Sequence, residues 1–221
     1  MAHKEQFEFV QHIKSFFPEH FEGQRVLEVG SLDINGSVRP FFKNCEYIGL
    51  DVAEGKGVDV VCQGQDYEGP DSSFDVVISC EAMEHNPYWK ETIDNMIRLT
   101  RPGGLVVISC ATLGRQEHGT AKSEPGSSPL TVEKGWIYYR NLRRHDFERV
   151  VNLTALSVWD TACNWDSYDL YFLGVKAPAS IETTDRLEPV FNIYHKRFWS
   201  SIKWLCRASR KHFKFTLFGL R

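Results

Sequence analysis

The hydrophobic pattern along the chain alternates between short apolar runs and longer amphipathic segments. The apolar runs have the length and near-continuous hydrophobicity of strands that are buried on both faces. The predicted strands are residues 26–29, 47–51, 58–61, 74–79, 105–109, 155–159 and 170–176. Apolar positions at helical spacing predict helices over residues 4–17, 89–99 and 146–151. This alternation predicts an α/β fold, a doubly wound and mostly parallel sheet with helices on both faces, whose ligands bind at the carboxyl ends of the strands.

Two segments between these elements have a distinct composition. The run Arg101-Pro102-Gly103-Gly104 is a strong breaker and predicts the end of the helix over 89–99. Residues 114–129 are rich in Gly, Ser, Thr and Pro and form a longer stretch than a simple connection needs. We therefore predict that residues 114–129 form a lid over the ligand site.

The ends of the first two strands predict a nucleoside site. Gly30 ends the first strand and allows close approach of the backbone to a ligand. Asp51 ends the second strand, 21 residues after Gly30, which is the offset at which a carboxylate can accept both hydroxyl hydrogens of an adenosine ribose. Nicotinamide and S-adenosylmethionine sites share this logic. A dinucleotide fold, however, requires a second glycine where this chain has Leu32.

The region after the fourth strand carries the more specific motif. This strand leads into Glu81-Ala82-Met83-Glu84-His85, and Pro102-Gly103-Gly104 precedes the fifth strand. Together with Asp51, these features make the chain resemble the class I S-adenosylmethionine-dependent methyltransferases of the broad type 11 group, over residues 24–176. The resemblance implies a seven-stranded Rossmann-like sheet with the last strand antiparallel, and S-adenosylmethionine as the cofactor. We predict a methyltransferase domain at residues 1–180 and an extension at 181–221.

The resemblance also implies which residues bind the cofactor. They are Glu28, Gly30 and Ser31 at the methionine end, Asp51 and Val52 at the ribose, Gln63 and Gly64 at the adenine, and Cys80 and Glu81 closing the pocket.

Methyl transfer is an in-line displacement, so the protein mainly aligns the acceptor and excludes water. A hydroxyl acceptor also needs a base, and a neutral imidazole suits this task near pH 7. His118, in the predicted lid, is the first candidate for a catalytic base, and His85 is the second. No metal site is predicted, because the six cysteines are scattered singly and are expected to be free thiols.

Charge separates the end of the chain from the rest. Residues 196–221 contain eight Lys or Arg and no Asp or Glu, whereas the whole chain has a net charge of −3. This basic tail is also rich in Phe and Trp, so it is predicted either to contact a membrane surface or to dock on an acidic surface of its own domain or of a second copy. The amino terminus lacks a secretory signal and no apolar run is long enough to span a bilayer, which favours a cytoplasmic protein, peripheral at the membrane if the tail binds lipid.

The sequence therefore predicts a methyltransferase that acts on a small molecule or a glycan, at an oxygen atom. Nucleic acid is not expected as a partner. Two alternatives remain, a nicotinamide-dependent oxidoreductase on a similar sheet and a methyltransferase-like binding module without catalysis. The second alternative rests on the loop after Gly30, where Leu32 and Asn35 interrupt the usual glycine spacing.

Overall fold

The computed structural model describes residues 4–195. Their strands form one seven-stranded sheet. The strands are β1 (Arg25–Val29), β2 (Glu46–Asp51), β3 (Val60–Val61), β4 (Phe74–Cys80), β5 (Thr100–Ala111), β6 (Leu156–Asn164) and β7 (Asp169–Lys176). Their order in the sheet is β3-β2-β1-β4-β5-β7-β6, with β7 antiparallel to both of its neighbours and the other pairs parallel. The predicted fold is confirmed.

This order places a switch point between β1 and β4, since the chain runs outward from β1 to β3 and then returns to β4. Parallel strands present their carboxyl ends at one edge, so the residues that follow β1, β2, β4 and β5 meet there. The residues with predicted chemistry lie mainly in these four connections.

Helices cover both faces of the sheet. They are α1 (Lys4–Phe16), α2 (Trp89–Leu99), α3 (Pro129–Glu133), α4 (Arg144–Val150), α5 (Ile181–Asp185) and a C-terminal helical segment, residues 187–195. Phe9 of α1 and Phe191 of the C-terminal helical segment are fully buried in one core cluster with Tyr171 of β7. Ile93 of α2 and Phe147 of α4 belong to the core cluster on the other face. The C-terminal helical segment thus belongs to the packed core; the division at residue 180 stays a prediction, and the basic tail at 196–221 lies outside the described residues.

Three strands differ clearly from their predicted bounds. The sixth strand is longer, since β6 runs to Asn164 where the pattern predicted 155–159. The third strand is shorter, Val60–Val61 in place of 58–61, because the Val58 N–H donates to the Gly55 carbonyl oxygen (3.1 Å) and closes a turn just before the strand. The fifth strand starts earlier, at Thr100. The predicted breaker lies inside it as a bulge, because Gly103 has a φ of +73° and lets the chain loop out between Thr100 and Leu105.

Among the described residues, 4–195, no helix combines the length and the hydrophobicity that a membrane crossing requires.

Candidate active site

Two adjoining spaces open at the carboxyl ends of the central strands. The inner cleft comprises two small cavities of about 40 and 50 Å³, which share Gly30, Asp51 and Ala82 in their walls. The outer pocket, of about 560 Å³, begins at Glu81 and His85 after β4. Glu81 and His85 also line the inner cleft, so the two spaces meet at these side chains.

Gly30 forms the tight turn that starts the inner cleft. Its φ is +82°, and a Cβ at this position would lie 2.3 Å from the Cβ of Ala82. The backbone N–H groups of Gly30 and Ser31 both donate to the carbonyl oxygen of Leu50 at 2.9 Å. The turn is therefore fixed against the ends of β2 and β4, and a larger side chain does not fit at Gly30.

Asp51 lies between the two cavities of the inner cleft and lines both. One carboxylate oxygen accepts a hydrogen bond from the Leu32 backbone (3.0 Å), and the other accepts one from the Val52 backbone (2.7 Å). The two hydrogen bonds lower the pKa of this carboxyl, but burial raises it by more, so the pKa lies above its usual value. Asp51 thus holds the loop after β1 and presents its carboxylate to the cleft.

The other side of the cleft is formed by Val52, Cys62 and Gly64. Gly64 packs tightly on α2, since a Cβ there would lie 2.6 Å from Cγ2 of Thr92. Thr131 of α3 and Trp136 close the cleft from above. No local pattern in the sequence indicates a role for these two residues, because they follow the predicted lid and reach the cleft only through the way it folds.

The structure brings together five of the predicted cofactor residues and not the other four. Gly30, Asp51, Val52, Gly64 and Glu81 line the inner cleft; Glu28, Ser31, Gln63 and Cys80 are not among its lining residues.

Each of these four side chains has other surroundings. Glu28 is buried and accepts a hydrogen bond from the Tyr47 hydroxyl (2.8 Å). Its burial raises its pKa to about 7. Cys80 belongs to the core cluster that contains α1, and Gln63 donates to Asp66. Ser31 is buried close to Gly49.

The outer pocket is enclosed by the predicted lid and by the turn between β6 and β7. Its remaining lining residues are Gly114, Arg115, Gln116, Glu117, His118, Glu124, Ser127, Asp166, Ser167 and Tyr168. Residues 114–129 thus supply one wall of the pocket, and their role as a lid over a ligand stays a prediction.

Buried carboxyl groups lie at the inner end of the outer pocket. Glu81 has a φ of +52°, a left-handed conformation that is strained for a residue with a side chain. Neither Glu81 nor the fully buried Glu84 has a hydrogen-bond partner at its carboxylate oxygens among the described residues. Burial and the Glu81 charge raise the pKa of Glu84 well above its usual range. The same two causes raise the pKa of Asp169 to about 8.

The two predicted catalytic histidines lie side by side. The ring centroids of His85 and His118 are 5.0 Å apart and the rings are perpendicular, with Tyr139 packed against both. Nδ1 of His118 lies 3.0 Å from the Gln116 carbonyl oxygen. Burial, followed by the nearby His118, lowers the pKa of His85 to about 3, so its imidazole is neutral at physiological pH.

Comparison with known proteins identifies the family. A sequence model described as a methyltransferase domain matches residues 1–145. The chain belongs to this methyltransferase family. The nicotinamide-dependent oxidoreductase is therefore not supported. A search of curated proteins found no match.

Solved methyltransferase structures share the fold at low sequence identity. A Haemonchus contortus phosphoethanolamine N-methyltransferase in complex with S-adenosyl-L-methionine has a TM-score of 0.53 and 16% identity, covering 76% of this chain and 52% of its own. A Burkholderia thailandensis 1,6-didemethyltoxoflavin-N1-methyltransferase with bound S-adenosylhomocysteine has a TM-score of 0.53 and 13% identity. The match covers 76% of this chain and 77% of that enzyme. An Archaeoglobus fulgidus SAM-dependent methyltransferase has a TM-score of 0.51 and 15% identity. The match covers 77% of this chain and 94% of that protein. The chain spans about half the length of the nematode enzyme. The predicted class, a class I methyltransferase of the S-adenosylmethionine-dependent kind, is confirmed at the level of family and fold.

Proposed function

We propose that the protein transfers a methyl group from S-adenosylmethionine to a small-molecule or glycan acceptor, at a hydroxyl oxygen. The observation that carries this proposal is the outer pocket, which joins the inner cleft at Glu81 and His85. In this arrangement the inner cleft holds the cofactor and the outer pocket holds the acceptor. The junction is then the place where methyl carbon and acceptor oxygen meet.

The size and lining of the outer pocket support a polar acceptor of modest size. Its volume of about 560 Å³ lies within the range of small-molecule sites. Most of its lining side chains are charged or polar, and Tyr168 is the aromatic residue among those described. Such a lining suits an acceptor with several hydroxyl groups. Two of the similar structures are described as N-methyltransferases for small molecules, so a nitrogen acceptor is the main competing outcome.

The paired histidines support an oxygen acceptor. In the proposed step the acceptor oxygen forms the bond to the methyl carbon, and the electron pair of the C–S bond goes to sulfur. The hydroxyl proton passes to an imidazole, for which His118 is the first choice and His85 the second. Both rings border the pocket. The lowered pKa of His85, about 3, makes its imidazole a weak base, which favours His118 for this role.

The proposed cofactor contacts are those of the predicted residues that line the inner cleft. Asp51 would accept the ribose hydroxyl hydrogens with Val52 beside the ribose. Gly30 would lie near the methionine part, and Gly64 would lie near the adenine. Glu28, Ser31, Gln63 and Cys80 would act indirectly, by supporting the loops that carry these contacts.

Calorimetric titration and a transfer assay test this function. We expect the purified protein to bind S-adenosylmethionine and S-adenosylhomocysteine at micromolar concentration, and to bind no reduced nicotinamide. Incubation with S-adenosylmethionine and a panel of sugars, phenols and amines should then yield a product that is heavier by one methylene. Methylation of amines alone would overturn the oxygen assignment. Cofactor binding without transfer to any acceptor would favour the binding module.

The basic tail supplies a separate prediction about partners. Because residues 196–221 combine positive charge with Phe and Trp, we expect the full chain to sediment with anionic liposomes and a chain ending at residue 195 not to do so. Equal sedimentation of the two chains would contradict membrane contact. A change in oligomeric state on truncation would instead indicate self-association.

A further inference from the structure

Three potential ligand groups converge where the outer pocket meets the sheet. Glu84, His85 and His118 each offer one ligand atom, and these atoms all lie within 4.8 Å of one another. A bound cation with ligand bonds of about 2.1 Å holds its ligand atoms roughly 3 to 4 Å apart, so small side-chain movements would complete such a set. Glu84 and His85 are adjacent on one short turn, Met83–His85, and His118 reaches them from the lid.

The same groups lack the partners that buried polar atoms normally have. Glu84 is fully buried, yet neither of its carboxylate oxygens has a hydrogen-bond partner among the described residues, and Nδ1 of His85 has none either. Glu81, which is 5% exposed, also lacks partners for both oxygens. Buried polar groups in folded proteins are nearly always paired, and a bound ion is one of the recognised explanations for the exceptions.

No basic side chain of the outer pocket is hydrogen-bonded to Glu81 or Glu84. Arg115 is the only Lys or Arg among the described residues that line the pocket. Its guanidinium donates to the Ser167 carbonyl and to Asp169, and it forms no hydrogen bond with Glu81 or Glu84. Two unpartnered carboxyl groups and two imidazoles remain together at the inner end of the pocket.

We propose that Glu84, His85 and His118 form a binding site for a divalent first-row transition-metal cation, with Glu81 beside it. Two imidazoles and a carboxylate are the ligand set of non-haem iron sites and of several catalytic zinc sites. Magnesium and calcium prefer oxygen ligands, so this set favours Zn²⁺, Fe²⁺ or Mn²⁺ over them. The sequence predicted no metal site, because Glu84 and His118 are 34 positions apart and only the lid brings them together.

The surroundings of His118 fit the role of a ligand. Its Nδ1 lies 3.0 Å from the Gln116 carbonyl oxygen, an arrangement in which Nδ1 carries the hydrogen and donates it. The lone pair then resides on Nε2. Metal-bound histidines commonly donate their other ring N–H to a carbonyl in this way, which fixes the ring and its tautomer. Gly119 permits the close approach, since a Cβ there would lie 2.6 Å from Cε1 of His85.

A cation at this site would face the acceptor. His85, His118 and Glu81 all line the outer pocket, so the remaining coordination positions open into it. This extension rests on the proposed function. A hydroxyl bound to the cation would lose its proton more readily, to the Glu81 carboxylate, while its oxygen takes the methyl group and the C–S electron pair goes to sulfur. The histidines would then serve as ligands and not as bases.

Direct binding tests the site without any acceptor. The full-length protein, freed of metal by chelation and dialysis, is titrated separately with ZnCl₂, MnCl₂ and MgCl₂ in a calorimeter. We expect one equivalent of Zn²⁺ or Mn²⁺ to bind, at least tenfold more tightly than Mg²⁺, and to raise the melting temperature. Glu84→Gln and His118→Ala should each weaken that binding at least tenfold. His145→Ala, which removes an exposed histidine on α4, should bind the cation like the wild type.

Two further measurements separate the site from folding and from catalysis. S-adenosylhomocysteine affinity should stay within about threefold in both variants, which shows that they fold. Absence of stoichiometric cation binding in the wild type, or undiminished binding in folded variants, would overturn the site. If the cation binds but chelation leaves methyl transfer intact, the catalytic extension fails and the site stands. If it binds and no acceptor is methylated with it, the proposed function fails and the site stands.

Discussion

At the scale of single residues, Asp51 combines two tasks. Its carboxylate holds the backbone of Leu32 and Val52, and it also lines both cavities of the inner cleft. In the proposed cofactor site, a substitution at Asp51 would affect cofactor affinity both through the loop and through direct contact. A suitable ligand pair can separate these effects.

We expect Asp51→Ala to weaken S-adenosylhomocysteine binding about ten- to hundredfold, because hydrogen bonds to a charged group contribute about 1.5 to 3 kcal/mol. The measurement is calorimetric titration with the ligand and with its 2′,3′-dideoxy analogue. The wild type should discriminate between the two ligands and the variant should not. Asp71→Ala, at an exposed ion pair before β4, is the control. Equal discrimination by Asp51→Ala would show that Asp51 acts only on the loop.

Glu28 makes stability depend on pH. The folded protein keeps Glu28 protonated up to about pH 7, whereas the unfolded chain loses this proton near pH 4.5. The folded state therefore binds more protons between these values, and the free energy of unfolding falls as pH rises, by on the order of 3 kcal/mol from this group. The contribution of Glu28 to stability is fully present below about pH 4.5 and is lost above about pH 7.

Glu28→Gln should remove this part of the pH dependence, because the amide does not titrate. Urea unfolding at several values between pH 4.5 and 7.5 measures the difference in slope between variant and wild type. Glu8→Gln, at an exposed position of α1, should leave the profile unchanged. Parallel profiles for wild type and Glu28→Gln would contradict the raised pKa.

At the scale of elements, one glycine of the lid lies against His85. Gly119 has a φ of +63°, and a Cβ there would lie 2.6 Å from Cε1 of His85, whereas Gly135 has a similar φ of +78° and nothing within 4 Å of a Cβ. Both glycines permit a left-handed backbone. Only Gly119 also permits contact between the lid and His85.

We therefore expect Gly119→Ala and Gly135→Ala to lose about 1 to 2 kcal/mol of stability each from backbone strain. Gly119→Ala should in addition lower methyl transfer at least tenfold, because the new Cβ displaces His85. Chemical unfolding and turnover measured on both variants give the comparison. Equal turnover of the two would mean that the contact with His85 is without consequence for catalysis.

The elements also show where sequence patterns suffice. Helix α2 has its predicted bounds, Trp89–Leu99, because its apolar stripe and the following breaker are both local signals. The breaker itself became a bulge in β5, since pairing with β4 continues on both sides of Gly103. Thr131 and Trp136 reach the inner cleft through the fold of the lid. Nothing local in the sequence encodes that contact, and the same is true of the approach of His118 to Glu84.

At the scale of the whole molecule, the end of the described region packs against the first helix. Phe191, in the C-terminal helical segment, is fully buried and its ring lies 6.5 Å from Phe9 of α1. Phe9 in turn stacks on Tyr171 of β7 at 4.2 Å. These contacts tie the first helix, the sheet and the C-terminal helical segment into one core.

Phe191→Ala should lower the free energy of unfolding by about 3 to 5 kcal/mol, the usual cost of removing a buried aromatic ring. Ile193→Ala lies on the same helical segment at a side chain that is 41% exposed, and should change stability by less than about 0.5 kcal/mol. Chemical unfolding of both variants measures the difference. If both substitutions change the free energy of unfolding only slightly, the stability of the methyltransferase domain does not depend on this segment. That outcome would agree with a division at residue 180.

The shared wall of the two spaces has a kinetic consequence. Ser127 borders both the outer pocket and the inner cleft, and Thr131 closes cavities of only about 40 and 50 Å³. A nucleoside-sized ligand needs several times that volume, so we expect Thr131 and Trp136, which cover the cleft, to move when it enters. An acceptor bound in the outer pocket would restrict that movement. We therefore expect a compulsory order in which the cofactor binds first and S-adenosylhomocysteine leaves last. S-adenosylhomocysteine should then inhibit competitively against S-adenosylmethionine and non-competitively against the acceptor.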